Sequence, residues 1–310
     1  MKTQYKEVKY SWLGKLTGRF YAFCWPLWRV YFAMTYWIGA WEWHWKPTYY
    51  ILGFLHNRRI LVSKFMNYGF AYTNDEDRKT LANVESTLQR RMPPELVNNA
   101  RLYEKTLSLC PRYPDALSGL DYLEVACGHG GGVEWMLSGH PEFASVRGID
   151  KTNFTEHPNI TAGDALALPF ADNSVDIIEI VEATHAFKDQ RRWMAECKRV
   201  LRVSGHLVIS DMRPPDNLLH LLWTDAAHVG FKQLVAYEDI TEGTIASRDQ
   251  QWAHTQRQYA SNWFTGWAMH AWWNNMWATP GTGMYHDLKE GRIKYIAACW
   301  EKPPVTETEL

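Results

Sequence analysis

Three observations predict an α/β fold with a mostly parallel sheet wound on both faces. Apolar, β-prone runs alternate with amphipathic stretches from Asp121 to Ser210. The first run ends in the glycine cluster Gly128-His129-Gly130-Gly131-Gly132, directly before a helical pattern carried by Val133, Trp135, Met136 and Leu137. The next two runs end in acids, Asp150 and Asp164. Repeated strand-loop-helix units of this kind place ligands at the carboxyl ends of the strands, so the functional residues are expected just after each strand.

At 310 residues the chain is long enough for a full α/β core and a substantial extra segment. Five scattered cysteines without a CxxC pair argue for a reducing compartment and against a disulfide framework. The twelve histidines show no HxxxH or HExxH spacing, and no structural metal is expected. The net charge of −1 hides an asymmetry: through Lys64 there are ten basic side chains and only two acidic ones, Glu7 and Glu42. A basic end on an acidic body suits contact with an anionic surface.

Residues 20–45 are packed with aromatics, among them Trp25, Trp28, Trp37, Trp41, Trp43 and Trp45. The long basic lead-in and the lack of a small-residue cleavage site fit a signal peptide badly. A spanning helix fits no better, because the longest uncharged run, residues 30–41, has 12 residues where about 18–20 are needed. Trp and Tyr flanked by Lys and Arg suit a segment lying in a lipid headgroup layer, so residues 1–60 read as a basic aromatic arm docking on a membrane; the alternative is an arm packed on the body or a partner copy. Residues 61–115 read as a helical cap: Leu81, Val84, Leu88 and Met92 keep a helical spacing, Pro93-Pro94 breaks it, and Leu96, Ala100, Tyr103 and Leu107 resume it. A linker at residues 110–119 follows.

The catalytic body is expected over residues 116–302. Strands are predicted at 121–126, 145–149, near Ile160, at 175–181 and at 206–210, with helices at 131–138 and 188–201. Beyond Asp211, a helix over 218–229, a strand from 230 to 240, a long aromatic helix over 249–277 and a last strand within 291–300 are expected, making about 215–285 a cap insertion. Trp252, Gln256, Tyr259, Trp263, Trp267 and His270 form one stripe on that helix, either core-facing or lining an apolar acceptor site. Residues 303–310 read as a disordered tail.

A glycine loop followed by an acid serves both dinucleotides and S-adenosylmethionine. The dinucleotide pattern G-x-G-x-x-G/A fails at its sixth position, Val133. Glu124 inside the first strand, Asp164 after the third, and the run from "GDALALPF" into Asp172-Asn173-Ser174-Val175-Asp176 favour S-adenosylmethionine. Together with "AECKRVLRVSGHLVISD", these segments resemble, in order and spacing, the class I S-adenosylmethionine-dependent methyltransferases acting on small molecules. More narrowly, "LEVACGHGGG", "VEATHAF" and "DMRP" resemble the mycobacterial phthiotriol/phenolphthiotriol dimycocerosate methyltransferases, which O-methylate a lipid alcohol; the likeness extends to "NYGFAY", "RLYEKT" and "GTGMYHDLKEGRIKYIAACWEK". Residues 1–60 lie outside it.

The resemblance implies a Rossmann-like methyltransferase sheet flanked by helices, with the aromatic arm and a helical substrate cap. It implies that Glu124, Ala126, Cys127, Gly128 and Gly130 contact the methionine part of the cofactor, with Tyr103 at its amino-acid end. Asp150, beside Lys151, would take the ribose hydroxyls, Asp164 and Ala165 the adenine edge, and Val181 and Glu182 the floor. His185 is the candidate general base, while Tyr68, Asp211, Arg213, Trp263 and Trp267 would face the acceptor. Two departures stand out: Ala126 where the wider family has glycine, and only 14 residues from Asp150 to Asp164, too few for the usual helix between them, so that 151–159 is expected as a loop.

The expected activity is thus O-methylation of a hydrophobic, lipid-like hydroxyl at a membrane surface, by a cytoplasmic, peripheral protein. C-methylation of a sterol or prenylquinone and a non-catalytic cofactor-binding scaffold are the alternatives. Nucleic acid is not an expected partner, because the body is acidic and lacks a basic-aromatic surface.

Overall fold

The computed structural model describes residues 64–152, 157–214, 218–260 and 276–304, together with positions 27 and 30. Among the described elements with stated bounds, three helices come first: α1 (Asp75–Thr80), α2 (Ala82–Arg91) and α3 (Val97–Leu107). Then follow β1 (Asp121–Val125), α4 (Gly131–Gly139), β2 (Ser145–Asp150), β3 (Ile160–Ala162), β4 (Val175–Val181), α5 (Gln190–Val200), β5 (Leu201–Arg213), α6 (Leu218–Val229), β6 (Lys232–Asp239), α7 (Thr241–Ala260), α8 (Gly283–Lys289) and β7 (Lys294–Glu301).

The seven strands form one sheet in the order β3-β2-β1-β4-β5-β7-β6. Strands β1 to β5 pair in parallel, and β7 runs antiparallel between β5 and β6. The chain order reverses between β1 and β4, which makes the crevice above their carboxyl ends the expected ligand site. Both faces are covered, and strand alternation divides the core in two. Leu123, Val125, Ile178, Ile180, Leu207 and Ile209 pack on one side with Trp193, Met194 and Cys197 of α5. Tyr122, Ile177, Val181, Val208 and Tyr295 pack on the other with Leu102, Tyr103 and Leu107 of α3 and Trp135 and Met136 of α4. Burial on both faces is why these strands read in sequence as near-continuous apolar runs.

Most elements start and stop within one or two residues of their predicted bounds; three differ, and α8 has no predicted counterpart. β5 extends from Leu201 through Arg213, so Asp211 and Arg213 lie within the strand. The aromatic helix begins at Thr241 rather than at 249, with Asp239 accepting hydrogen bonds from the Thr241 amide (3.1 Å) and hydroxyl (2.5 Å). Its first turns bury Thr244, Ser247 and Arg248, polar residues that give no apolar periodicity to read. The acidic stretch after Asn74 is α1, started by the Asn74 side chain accepting from the Asp77 amide. Between β2 and β3 the described residues form bends and turns. The arm 1–60 apart from positions 27 and 30, and residues 153–156, 261–275 and 305–310, lie outside the described residues. Among those described, no helix is long and apolar enough to cross a membrane.

One buried polar cluster ties α3 to α4. The fully buried Glu104 accepts from Trp135 Nε1 (2.6 Å) and Tyr113 Oη (3.1 Å) and pairs with His140 Nε2 at 2.7 Å, while His140 Nδ1 meets Glu142 at 2.9 Å. Burial pulls the imidazole pKa down, but Glu104 and Glu142 outweigh it and hold it at about 9. A raised histidine stabilises fully below its unfolded value of 6.5 and loses that contribution as pH climbs through about 9. The melting temperature is therefore expected to fall between pH 7 and 10. In His140→Phe it should start lower and fall less; an equally steep fall in that variant would show that the pair is not responsible.

Candidate functional site

The loop leaving β1 is built for close backbone approach. Gly128 and Gly130 take φ of +54° and +81°, and Ala126 sits at +61°, a left-handed conformation that disfavours a Cβ. Glycine is needed where neighbours press in. A Cβ on Gly131 would stand 2.9 Å from the Lys64 carbonyl, and one on Gly132 would stand 2.3 Å from the Tyr103 ring and 2.5 Å from Glu124 Oε2. Residues 64–71 thus lie as a strap over the loop, with Lys64 paired to Glu134 and Met66 against Gly128.

Under the loop, Tyr103 donates to Glu124 Oε1 at 2.7 Å. Burial pushes the Glu124 carboxyl up to about 8, and its Oε2 has no hydrogen-bond partner. Asp150, at the end of β2, accepts from the Gly128 amide (2.8 Å) through Oδ2, and from the Thr152 amide (2.9 Å) and hydroxyl (2.6 Å) through Oδ1. Carboxylate oxygens have further lone pairs, so these contacts orient the acid and leave capacity for a diol. Asp164 accepts from the Leu166 amide at 3.0 Å and pairs with the exposed Lys151 at 3.1 Å. Burial opposes its ionisation, but that amide and Lys151 outweigh it and hold the carboxyl low. Ala165 and Leu166 pack beside it on the apolar core, while Cys127 and Val181 are buried.

At the end of β4, Glu182 takes φ of +51°, a strained conformation for a non-glycine residue. Its Oε1 accepts from the Tyr68 amide and the Tyr295 hydroxyl, both at 2.6 Å, which latches the strap to β7. Burial pushes this carboxyl, too, up to about 8. Tyr68, expected to face the acceptor, is 3% exposed and donates its hydroxyl to the Met276 carbonyl at 2.6 Å.

A 3₁₀ turn, Thr184–Ala186, follows and carries His185. His185 Nδ1 stands 2.7 Å from Asp211 Oδ1, and its amide donates to Asp211 Oδ2 at 2.8 Å. The Thr184 hydroxyl donates to Oδ2 at 2.6 Å and accepts from Arg213. Burial opposes ionisation of Asp211, but His185 and Arg213 outweigh it and hold the carboxyl well below its usual range. The Asp211 side chain is 0% exposed and that of His185 18%, so Asp211 reaches His185 and not an acceptor. Arg213 is likewise buried and acts on Thr184. With Asp211 ionised, Nδ1 carries the proton, leaving Nε2 as the basic nitrogen.

The structure brings Glu124, Ala126, Cys127, Gly128, Gly130, Asp150 and Tyr103 to one crevice, and places Asp164 with Ala165 beyond β3 and Val181, Glu182 and His185 beyond β4. Trp263 and Trp267 lie outside the described residues. Sequence reading missed Thr184, Tyr295 and the strap. Thr184 could be found as the neighbour of His185 in "VEATHAF"; Tyr295 has no local signal, since it meets Glu182 from 113 residues away.

Tested against this crevice, S-adenosylmethionine fits. An unpartnered carboxylate oxygen of Glu124 lies beneath the loop for its amino-acid end, and Asp150 keeps lone pairs for its ribose diol; the glycines let the loop pack closely on Lys64, Phe65 and Tyr103. Comparison with known proteins agrees. A methyltransferase domain model matches residues 123–209. Phthiotriol/phenolphthiotriol dimycocerosates methyltransferase of Mycobacterium tuberculosis is 37% identical over 206 residues, covering 60% of this chain and 71% of that protein. Fatty-acid O-methyltransferase of Mycolicibacterium smegmatis is 29% identical over 160 residues, covering 48% and 53%. A solved geranyl diphosphate methyltransferase, in complex with GPP and sinefungin, superposes with a TM-score of 0.51 at 16% identity over 78% of this chain and 91% of that one, which is a likeness of fold. With the β3-β2-β1-β4-β5-β7-β6 sheet, the glycine loop at its switch point and these relatives in agreement, the chain belongs to the class I S-adenosylmethionine-dependent methyltransferases.

Proposed function

We propose that this methyltransferase O-methylates a hydroxyl of a hydrophobic, lipid-like small molecule at a membrane surface. The observation that carries the reading is the 2.7 Å contact of His185 Nδ1 with the buried Asp211. Bound S-adenosylmethionine supplies a methyl group activated by its sulfonium. Asp150 would orient the ribose, Asp164 and Ala165 the adenine edge, and Tyr103 with Glu124 the amino-acid end. His185 Nε2 takes the proton of the acceptor hydroxyl, and Asp211 holds the ring in the tautomer that can do so and stabilises the imidazolium that results. Val181 and Glu182 floor the crevice, and the strap shields the glycine loop from water.

The lipid acceptor is supported by the two relatives, whose names specify dimycocerosates and a fatty acid. The membrane surface is supported by the ten basic side chains through Lys64 and the aromatics among them. Incubation with labelled S-adenosylmethionine and a lipid extract should yield a labelled lipid whose mass and NMR show an O-methyl group. A new C-methyl would favour a sterol or prenylquinone acceptor, and no transfer to any lipid would leave the scaffold reading. In flotation with anionic liposomes, the full chain should float and one lacking residues 1–47 should not. Equal flotation of the two would discard the arm as the docking element.

A further inference from the structure

Two carboxyl groups occupy positions where the sheet should be apolar. On β1 and β4 the face turned toward α3 and α4 carries Tyr122, Ile177 and Val181, and between them Glu124 and Glu179. The two acids are register partners across the parallel strands, so their side chains leave the sheet on the same side, next to each other. Both are at most 1% exposed. Each has one tyrosine donor at 2.7 Å, Tyr103 for Glu124 and Tyr122 for Glu179. Each also has one oxygen without a hydrogen-bond partner, Oε2 of Glu124 and Oε1 of Glu179.

The groups acting on them are Tyr103 and Glu104 from α3, Tyr122 from β1, Asp150 from β2 and the Val133 amide from α4; no cation is among them. Two adjacent carboxylates without a cation, in a dry interior, would be strongly unfavourable. Burial accordingly pushes Glu124 up to about 8 and Glu179 well above the usual carboxylate range. Among the described residues no cation acts on them, whereas the ammonium at the amino-acid end of a cofactor bound at the glycine loop would supply one.

We propose that Glu124 and Glu179 form a buried carboxyl pair that is uncharged without cofactor, and that the ammonium of S-adenosylmethionine displaces one proton from Glu124, so that cofactor capture is coupled to proton release. Glu179 stays protonated and turns its unpartnered Oε1 to the newly charged Glu124. The balance is simple: one O–H bond of a carboxylic acid breaks, its proton passes to solvent, and the ammonium takes its place as the counter-charge. Nothing is oxidised or reduced. This inference rests on the placement of the amino-acid end at the glycine loop.

The test is calorimetric titration of the full chain with S-adenosylhomocysteine at pH 6.5, in two buffers of different ionisation enthalpy. That product has the same amino-acid end, whose ammonium is fully protonated at this pH while its carboxylate is ionised. About one proton released per bound ligand is expected, with Kd falling about tenfold from pH 5.5 to 6.5, because the free protein binds the extra proton. 5′-Methylthioadenosine, which lacks the amino acid, should release none. Glu124→Gln should abolish the release and bind more weakly. Glu179→Leu should keep the release and weaken binding about tenfold, since the charged Glu124 would then face an apolar neighbour. Melting curves of both variants report whether they fold. Ligand binding without proton release, equal release with methylthioadenosine, or tighter binding by Glu179→Leu would overturn the coupling. Undiminished binding by Glu124→Gln would instead overturn the placement of the cofactor at the loop.

Discussion

His185→Gln is expected to lower turnover by about a hundredfold or more while leaving cofactor affinity near its parental value, the loss typical of removing a general base. The argument rests on partition of contacts. Asp211 accepts hydrogen bonds from His185 Nδ1, the His185 amide and the Thr184 hydroxyl, and is itself fully buried, so the imidazole is aimed by a carboxylate that has no access to substrate. Glutamine keeps the size and the amide–Asp211 bond but cannot accept a proton near neutral pH. Asp211→Asn should lower turnover as well, because an amide in that position no longer selects the Nδ1–H tautomer. It should also lower the melting temperature, since it weakens charge-assisted hydrogen bonds in a closed interior. Measured kcat with intact S-adenosylhomocysteine binding decides the matter. An unchanged kcat in His185→Gln would remove this residue as the base.

The second large effect is expected from a single methyl group. Gly132→Ala places a Cβ 2.3 Å from the Tyr103 ring and 2.5 Å from Glu124 Oε2. Neither neighbour can retreat, because both are buried and bonded to each other. The first turn of α4 must move instead, and the glycine loop moves with it. Overpacking of this kind costs about 1–3 kcal/mol, and S-adenosylhomocysteine should bind at least tenfold more weakly, roughly 1.4 kcal/mol or more. Ser138→Ala, on the same helix but partly exposed, should change neither stability nor binding measurably. Tight binding by Gly132→Ala would mean that the loop tolerates displacement and does not form the cofactor cradle.

Much of the sheet was legible because its signals are local. Strand β4 reads as an apolar run from Val175 to Val181 because both its faces are buried, and α5 reads as a helix because Trp193, Met194, Cys197 and Val200 recur on one face. The start of α7 was not legible: its first turns pack Ser247 and Arg248 against the Tyr68 carbonyl, at 2.9 and 3.2 Å, and polar burial has no hydrophobic period. The roles of Tyr68, Asp211 and Arg213 were also not legible. The resemblance placed Tyr68 at the acceptor, and proximity to a strand end did the same for Asp211 and Arg213, whereas Tyr68 closes on Glu182 and Met276, and Asp211 and Arg213 turn inward to His185 and Thr184.

Sequence alone determined the alternation of strands and helices, the glycine loop, and the acids at the ends of β2 and β3, because each depends on residues a few positions apart. The tertiary structure decided which acids are charged. Asp211 is held ionised by His185 and Arg213, whereas the equally buried Glu124 and Glu179, and the partly buried Glu182, with no cation hydrogen-bonded to them among the described residues, are pushed toward their neutral forms. Charge in an interior depends on what folding brings alongside, and those partners come from up to 114 residues away.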